Sequence, residues 1–487
     1  MNLAHSLWLV APEELLSVVG LVLLLVAAWS GDKASRAISI VGVAALTACA
    51  ALVAPALCGG AMGADTVAFG GQYRADAFAA FAKLLVYAGA GVTLIIAPAF
   101  FDRVKGMRAE FPLLVLFAAL GMGMMVSATD LLTLYIGLEL NSLAAYVLAS
   151  FLRADERSAE AGLKYFVLGS LASGILLYGI SLTYGFTGTT SFDGIRVALT
   201  GAMPVGAVFG VVFVLAGLAF KISAAPFHMW TPDVYEGAPT PVTTFFATAP
   251  KAAALALLMR VSLVAFGAQP HAWQQIMIAL ALLSIIVGAL GAIGQTNIKR
   301  LMAYSSINNV GFMLIGLAVA TQQGASAMLV YLAIYVAMSI ASFVAVLLLR
   351  DENGEPVETI ADLGGLSKTR PMLALVLAIV MFSLAGIPPL FGFWGKFVVF
   401  QAAVQAGYVS LAAIGIAASV IGAFYYLKVV KVMYIDEAAD KVRGAGDVAH
   451  TAILVLASLF LSPLGYLLSR WLGHLADAAA AALFAVA

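Results

Sequence analysis

The chain has 487 residues, 63% of them apolar and 10% charged, with 25 basic and 25 acidic side chains giving no net charge. Soluble domains carry about 25% charged residues, so a mean hydropathy of +1.04 identifies an integral membrane protein. Neutrality excludes a nucleic-acid footprint, and two cysteines, Cys49 and Cys58, are too few for an iron–sulfur cluster, which takes about four thiolates; their expected role is packing.

Apolar segments long enough to cross a ~30 Å hydrocarbon core as helices recur from end to end. They are continuous rather than alternating, which predicts an all-α polytopic protein and not a barrel. Segmentation predicts about 14 spans, over 11–30, 37–57, 76–98, 110–127, 129–151, 160–186, 205–222 continuing past a break to 231, 241–266, 272–293, 299–319, 325–349, 372–386 continuing past a break to 406, 408–434 and 449–471. The N-terminal stretch lacks a basic region and places Glu13 and Glu14 before its apolar run, so it reads as the first span and not as a signal peptide. Gly89 with Gly91 and Gly121 with Gly123 lie inside spanning runs with no strand before them, which fits small-residue helix packing better than a dinucleotide loop. Fourteen Lys and Arg fall in loops after odd-numbered helices and three, Arg74, Arg196 and Arg260, after even-numbered ones. Because basic residues accumulate on the cytoplasmic side, both termini are expected on the non-cytoplasmic side. The longest polar segment, 350–370, reads as a loop with a short surface helix punctuated by Gly364 and Gly365; residues 472–487 read as the end of the last span or as an interfacial helix. No segment is large or polar enough to be a soluble catalytic domain.

A charge near the bilayer centre costs about 2.5–3.5 kcal/mol on insertion scales, so each one in a span demands a reason. Seven qualify by depth: Lys83, Glu139, Lys164, Lys221, Lys251, Lys396 and Lys428. Lys83 has no acidic neighbour in sequence closer than Asp76 and is expected to snorkel or to face a partner subunit, and Lys428 to snorkel. Lys164 follows Glu160 by four residues, the spacing of a helix-surface ion pair. Glu139 has no basic residue within a turn, so its partner comes from another helix. Lys251 lies too deep in its span for its stem to reach either surface. Lys221 precedes Pro226 and His228, and Lys396 follows Pro388 and Pro389. Prolines there remove backbone donors and interrupt the helix, which only a protein-lined, hydrated cavity tolerates.

The two breaks match. PFHMW marks one and PPLFGFW the other, and each lysine is followed by a second buried lysine 30 residues on (Lys221 to Lys251) or 32 residues on (Lys396 to Lys428). This predicts two inverted five-helix repeats, 106–266 and 267–435, preceded by three helices in 1–105 and followed by a last helix and tail in 436–487. Broken helices at matching positions of inverted repeats point to an ion pathway near the membrane midplane. Lysine suits a proton path because desolvation and a neighbouring carboxylate act on its proton affinity in opposite senses, and His228 titrates near neutrality without much help. Tyr304, Ser305, Ser306, Asn308 and Asn309, with Tyr331 and Tyr335, are candidates to hold an intervening water chain; ordinary interhelical hydrogen bonding is the alternative.

The stretches GLAFKISAAPFHMWTPDVYEGAPTPVTTFFATAPKAA, IGLELNSLAAY, NIKRLMAYSSINNVGFMLIG and FSLAGIPPLFGFWGKF resemble the antiporter-like membrane subunits of proton-pumping NADH:quinone oxidoreductase (respiratory complex I). Among these, the span count and the lack of a long lateral C-terminal helix resemble the subunit N branch, the bacterial counterpart of mitochondrial subunit 2. The resemblance implies that Glu139 and Lys221 form an intramembrane ion pair, with Lys164 beside them, Lys251 at the centre and Lys396 toward the far exit. Family members often carry a histidine around helices 10 and 11. Here those helices have none, so a relay from Lys251 to Lys396 would depend on tyrosine, serine and water. The resemblance further implies a subunit of a translocating enzyme in the bacterial inner membrane. It would have no cofactor or metal of its own, with NADH, FMN, iron–sulfur clusters and quinone in other subunits. Its partners would be neighbouring antiporter-like and other membrane subunits, the lipid bilayer and, indirectly, peripheral redox subunits. A subunit of a multisubunit cation/proton antiporter, a membrane-bound hydrogenase subunit and a non-conducting structural subunit remain as alternatives.

Overall fold

A helix that is apolar on every side must be surrounded by protein or by lipid, and the helices of this chain divide between these two fates. The structure, a computed structural model, describes residues 3–58, 66–201, 203–444 and 446–485. In chain order the helices are α1 (Leu3–Leu9), α2 (Ala11–Ser30), α3 (Ser35–Val53), α4 (Ala77–Phe101), α5 (Glu110–Ser127), α6 (Leu131–Ala149), α7 (Glu156–Thr187), α8 (Phe192–Ala198), α9 (Val205–Lys221), α10 (Trp230–Gly237), α11 (Thr240–Ala247), α12 (Ala249–Arg260), α13 (Pro270–Ile293), α14 (Ile298–Ala318), α15 (Gln322–Leu348), α16 (Leu366–Thr369), α17 (Pro371–Ala385), α18 (Phe391–Gln405), α19 (Val409–Tyr434), α20 (Val448–Leu461) and α21 (Ser469–Phe484). Among the described residues the only sheet is the small hairpin β1 (Val67–Ala68) and β2 (Tyr73–Arg74). Ten helical segments there are long and apolar enough to cross a membrane, or eleven with a bent pair at the C-terminal end; α9 and α17 are shorter apolar helices.

Burial sorts these segments. The apolar windows of α14 and of the segment Thr240–Ala265 are 94% buried and that of α15 is 83% buried, so these three form the centre. Only 39–44% of the corresponding windows of α7, α13 and α19 is buried, and their Leu, Ile and Val side chains face outward to lipid. Helix starts are fixed locally. Asp76, Asp130, Asp155, Asn297, Thr321 and Asp447 each accept a hydrogen bond from a first-turn N–H of α4, α6, α7, α14, α15 and α20, worth about 1 kcal/mol apiece.

Several sequence expectations need correction. The span expected over 241–266 is present as Thr240–Ala265 but is not one continuous helix: it breaks at Thr248, between α11 and α12, with Pro250 in the first turn of the second part. The last span ends at Leu461, where Ser462 and Pro463 turn the chain by 66°, and the alanine-rich α21 packs back on α4 and α15. Arg260 is not in a loop. The helix runs on through a π turn at Val261–Ala265, leaving Arg260 1% exposed with its guanidinium on both oxygens of Asp76 at 2.7 and 2.8 Å. Lys83 neither snorkels nor faces a partner: it is buried in an ion pair with Glu13 at 2.6 Å. The 350–370 segment holds the expected short helix, α16, entered through Gly365 at φ +68°. Cys49 is buried and free, as packing required, and the Cys58 side chain lies outside the described residues.

Candidate functional site

At the first break α9 ends at Lys221 and regular helix resumes at α10, with Ser223 at φ +63° and a cis Ala225–Pro226 peptide between them. The groups freed by the interruption are satisfied by protein: the Ala225 N–H donates to Ser284 Oγ at 2.8 Å and the Trp230 indole to the Phe220 carbonyl at 3.1 Å. At the second break α17 ends against Gly386 (φ +80°), a cis Pro388–Pro389 peptide follows, and the Gly392 N–H donates to Ser383 Oγ at 3.1 Å. Irregular backbone at membrane depth is tolerated only on such terms.

Lys221 projects into a cage of hydroxyls. Its ammonium donates to Ser142 Oγ at 2.8 Å, with Tyr146 Oη and Ser173 Oγ each at 3.5 Å. Glu139 lies one turn before Ser142 on α6, and its Oε1 is buried without a hydrogen-bond partner. A hydroxyl thus stands where the resemblance implies a direct ion pair. Lys251, 1% exposed, lies in the first turn of α12 just after the Thr248 break. It donates to Ser306 Oγ at 2.6 Å and reaches Ser223 Oγ of the first break at 3.4 Å. Ser306 in turn shares a 2.7 Å hydrogen bond with Tyr335. Asn309 accepts from Tyr331 at 2.6 Å, Ser305 bonds Tyr426, and Asn308 donates to Tyr425 at 3.1 Å.

Tyr331 packs on Gly395, the residue before Lys396. Lys396 donates to the Ala385 carbonyl at 3.1 Å and to Ser419 Oγ at 3.0 Å, and lies 4.6 Å from the centre of the Phe312 ring. It also lines a largely apolar cavity of about 650 Å³ between α18 and α19 that opens outward beside the exposed Phe397, Val404, Ile416 and Val420. Lys221, Ser223, Lys251, Ser306, Tyr335, Asn309, Tyr331 and Lys396 therefore form a discontinuous polar line through a bundle that is otherwise apolar.

The remaining candidates fall beside this line. Lys164 makes the expected contact with Glu160 at 2.7 Å but also bonds Asp233 at 2.7 Å, which Arg300 engages at 2.6 Å. The 32-residue α7 is about 48 Å long, well beyond the ~30 Å core, so this network sits toward one end of the bundle. His228 is half-buried beyond Pro226, with its Nδ1 lacking a partner. Tyr304 packs on Gly291, apart from the other hydroxyls. Lys428 reaches the Ile293 carbonyl at 3.4 Å. Sequence reasoning missed Ser142, Ser173, Ser223 and Ser419, whose hydroxyls resemble ordinary helix-packing residues, and Tyr425 and Tyr426, which the run FYYLK offered. Among the described residues no group of three or more His, Cys, Asp or Glu could hold a metal ion.

Buried lysines joined by hydroxyls across two interrupted helices mark a membrane protein of the antiporter-like class, and residues 128–422, which include both breaks, match the family described as NADH:quinone oxidoreductase/Mrp antiporter, transmembrane. A chain of the respiratory complex I of Thermus thermophilus with bound aureothin is similar in structure, with a TM-score of 0.79 at 34% identity, over 95% of this chain and 98% of that one. A chain of the Mrp complex of Dietzia sp. shares the fold, with a TM-score of 0.81 at 22% identity over 99% and 98% of the two chains. The NADH-quinone oxidoreductase subunit N of Erythrobacter litoralis is 69% identical over 484 residues, 99% of each chain. That of Rhizorhabdus wittichii is 59% identical over 487 residues, 99% of this chain and all of its own. The chain belongs to the NADH-quinone oxidoreductase subunit N family.

Proposed function

We propose that this chain carries protons through the membrane arm of NADH:quinone oxidoreductase along the line from Glu139 and Lys221, through Lys251, to Lys396. The observation that carries the reading is the contact of Lys251 with both Ser223 and Ser306, which joins the first break to the central hydroxyls. A charge change near Glu139 would shift the hold on the Lys221 proton, and Ser223, Ser306, Tyr335 and water would pass protons on. A water reaching Lys396 beside Ser419 would complete the transfer. His228, with an unpaired ring nitrogen at the break, is a further relay candidate. Lys164, Lys428 and Tyr304 would act on the line from its edges.

In the same reading α2 and α3 are two crossings, while α9 with α10, α11 with α12 and α17 with α18 are interrupted ones, giving 14 in all. The helices in 106–266 and 267–435 are inverted repeats, with 1–105 before and 436–487 after them. The helix breaks around Pro226 and around Pro388 and Pro389 support this pairing. Both termini lie on the non-cytoplasmic face of the inner membrane. NADH, FMN, iron–sulfur clusters and quinone belong to other subunits, and neighbouring antiporter-like subunits flank this one.

Lys251→Met tests the reading in the whole complex reconstituted into vesicles. Pumping-coupled quinone reduction is expected to fall about tenfold per assembled complex, equivalent to ~1.4 kcal/mol. Normal pumping in a fully assembled variant would refute it.

A further inference from the structure

A second buried acid–base cluster lies outside both the polar line and the 128–422 family match. Glu13 of α2 and Lys83 of α4, 4% and 2% exposed, pair at 2.6 Å. Tyr73 of β2 joins them, accepting from Lys83 Nζ at 2.6 Å and donating to Glu13 Oε2 at 2.8 Å. The other titratable groups near this triangle are Glu14 on α2, Cys49 on α3, Tyr87 on α4 and Asp76, which caps α4; the α5 and α6 residues that line the cleft beside it are uncharged. The Cys49 thiol is directed at the Pro12 carbonyl at 3.4 Å, and the buried Tyr87 hydroxyl makes no hydrogen bond.

Asp76 shows what a purely structural ion pair looks like here. Both its oxygens hold Arg260, Oδ1 also caps α4 through the Ala79 N–H at 2.8 Å, and Arg260 stacks on Phe78. Every one of its interactions is fixed from two sides. Glu13 is different, because it borders a cleft of about 530 Å³ lined also by Glu14, Ser17, Gln72, Met124, Thr133 and Ile136. Its polar lining, Glu13, Glu14, Ser17, Gln72, Tyr73 and Thr133, is set among apolar side chains, and its volume is enough for several waters. Ile136 lies on the outward face of α6, and Glu139 follows it by three residues, a rise of about 4.5 Å. Glu13 is also close to α6 across a single helix: a Cβ at Gly123 of α5 would lie 2.6 Å from Glu13 Oε1, and Gly121 of α5 packs on Gly137 of α6.

We propose that Glu13 and Lys83, bridged by Tyr73, form a proton-exchange pair that communicates through this cleft with Glu139 along the outer face of α6. In the step itself Glu13 takes a proton from a hydronium in the cleft, leaving water. Its carboxyl becomes neutral and the ion pair opens, while Tyr73 keeps its hydroxyl proton and Lys83 its charge. Delivery of the proton from Glu13 to the next water restores the pair. An uncompensated Lys83 ammonium is unstable in the interior, so the loaded state is short-lived and responds to any charge change nearby.

The inference rests on the proton-translocating reading above, and the test separates the two. Four variants of the whole complex are compared in vesicles for yield, quinone reduction and proton translocation: Glu13→Gln/Lys83→Met, which removes both charges together, Thr133→Leu, which fills the cleft and leaves the pair intact, Glu13→Asp, which keeps the carboxylate, and Lys251→Met. The first two are expected to assemble and to lose pumping-coupled turnover several-fold, and Glu13→Asp to retain most of it. Wild-type pumping in either variant, once assembled, overturns the proposal, and Thr133→Leu decides alone if the double variant does not assemble. If Lys251→Met also pumps normally, the failure lies with the translocation reading itself.

Discussion

At the first helix break the charged group belongs to the helix that ends there, Lys221 lying in the last turn of α9. At the second it belongs to the helix that follows, and Lys396 reaches back 11 residues to the Ala385 carbonyl. Lys221 is thus rooted at, and the Lys396 ammonium reaches, the carbonyl end of the first half-helix, where the helix dipole favours a cation. Their surroundings differ. Lys221 has three hydroxyls and a carboxylate one turn away on α6, whereas Lys396 has one hydroxyl, an aromatic face and an open apolar cavity. The helix end sets where a charge can sit, and the side chains around it set what it can exchange a proton with. A group beside a carboxylate can be switched by it, and a group without one depends on the polar contacts around it.

That contrast is broken most directly by removing each charge in turn. Lys221→Met is expected to lower pumping-coupled quinone reduction about tenfold, or ~1.4 kcal/mol, and Glu139→Gln to do nearly the same. Lys396→Met should retain more activity, since no carboxylate among its contacts is left uncompensated when its charge is removed. Equal losses at Lys221 and Lys396, measured per assembled complex, would erase the distinction. A finer cut removes only the acceptors. Ser142→Ala with Ser173→Ala leaves the Lys221 ammonium poorly solvated, and hydrogen bonds to charged groups are worth about 1.5–3 kcal/mol each. The thermal midpoint of the purified complex should fall along with its coupled rate.

Much of this was legible in the sequence because proline and lysine are conspicuous inside apolar helices. The breaks at Pro226 and at Pro388 and Pro389, the depth of Lys251, and the hydroxyls of Ser306, Asn309, Tyr331 and Tyr335 all follow from residue type and position. What stayed hidden depended on distant partners. Glu13 and Lys83 are 70 residues apart and looked respectively like a first-turn acid and a snorkelling lysine, since nothing local reveals that α2 and α4 meet. Arg260 resembled a loop residue because the helix was expected to end near it, and its partner Asp76 lies 184 residues earlier. Pro250 could have signalled the Thr248 break, but a proline in a helix's first turn disturbs nothing, and the apolar run around it masked the new start. At the other end Ser462–Pro463 was an available stop signal, overridden by the hydrophobicity that continues beyond it.

Smaller changes sharpen the comparison further. Near each lysine a tyrosine is packed against a glycine: Tyr146 lies on Gly169 and Tyr331 on Gly395, each close enough that an added Cβ must displace the ring. Gly169→Ala should move Tyr146 off Lys221 and slow coupled turnover a few-fold; Gly395→Ala should do so less, because Tyr331 bonds Asn309 and not Lys396 itself. Ser419→Ala is expected to have the smallest effect. It removes one 3.0 Å acceptor from Lys396, but the Ala385 carbonyl and the Phe312 ring remain. Coupled turnover should therefore stay within about twofold of wild type, under ~0.5 kcal/mol. A loss from Ser419→Ala as large as that from Ser142→Ala would mean that Lys396 is held by its protein contacts as tightly as Lys221.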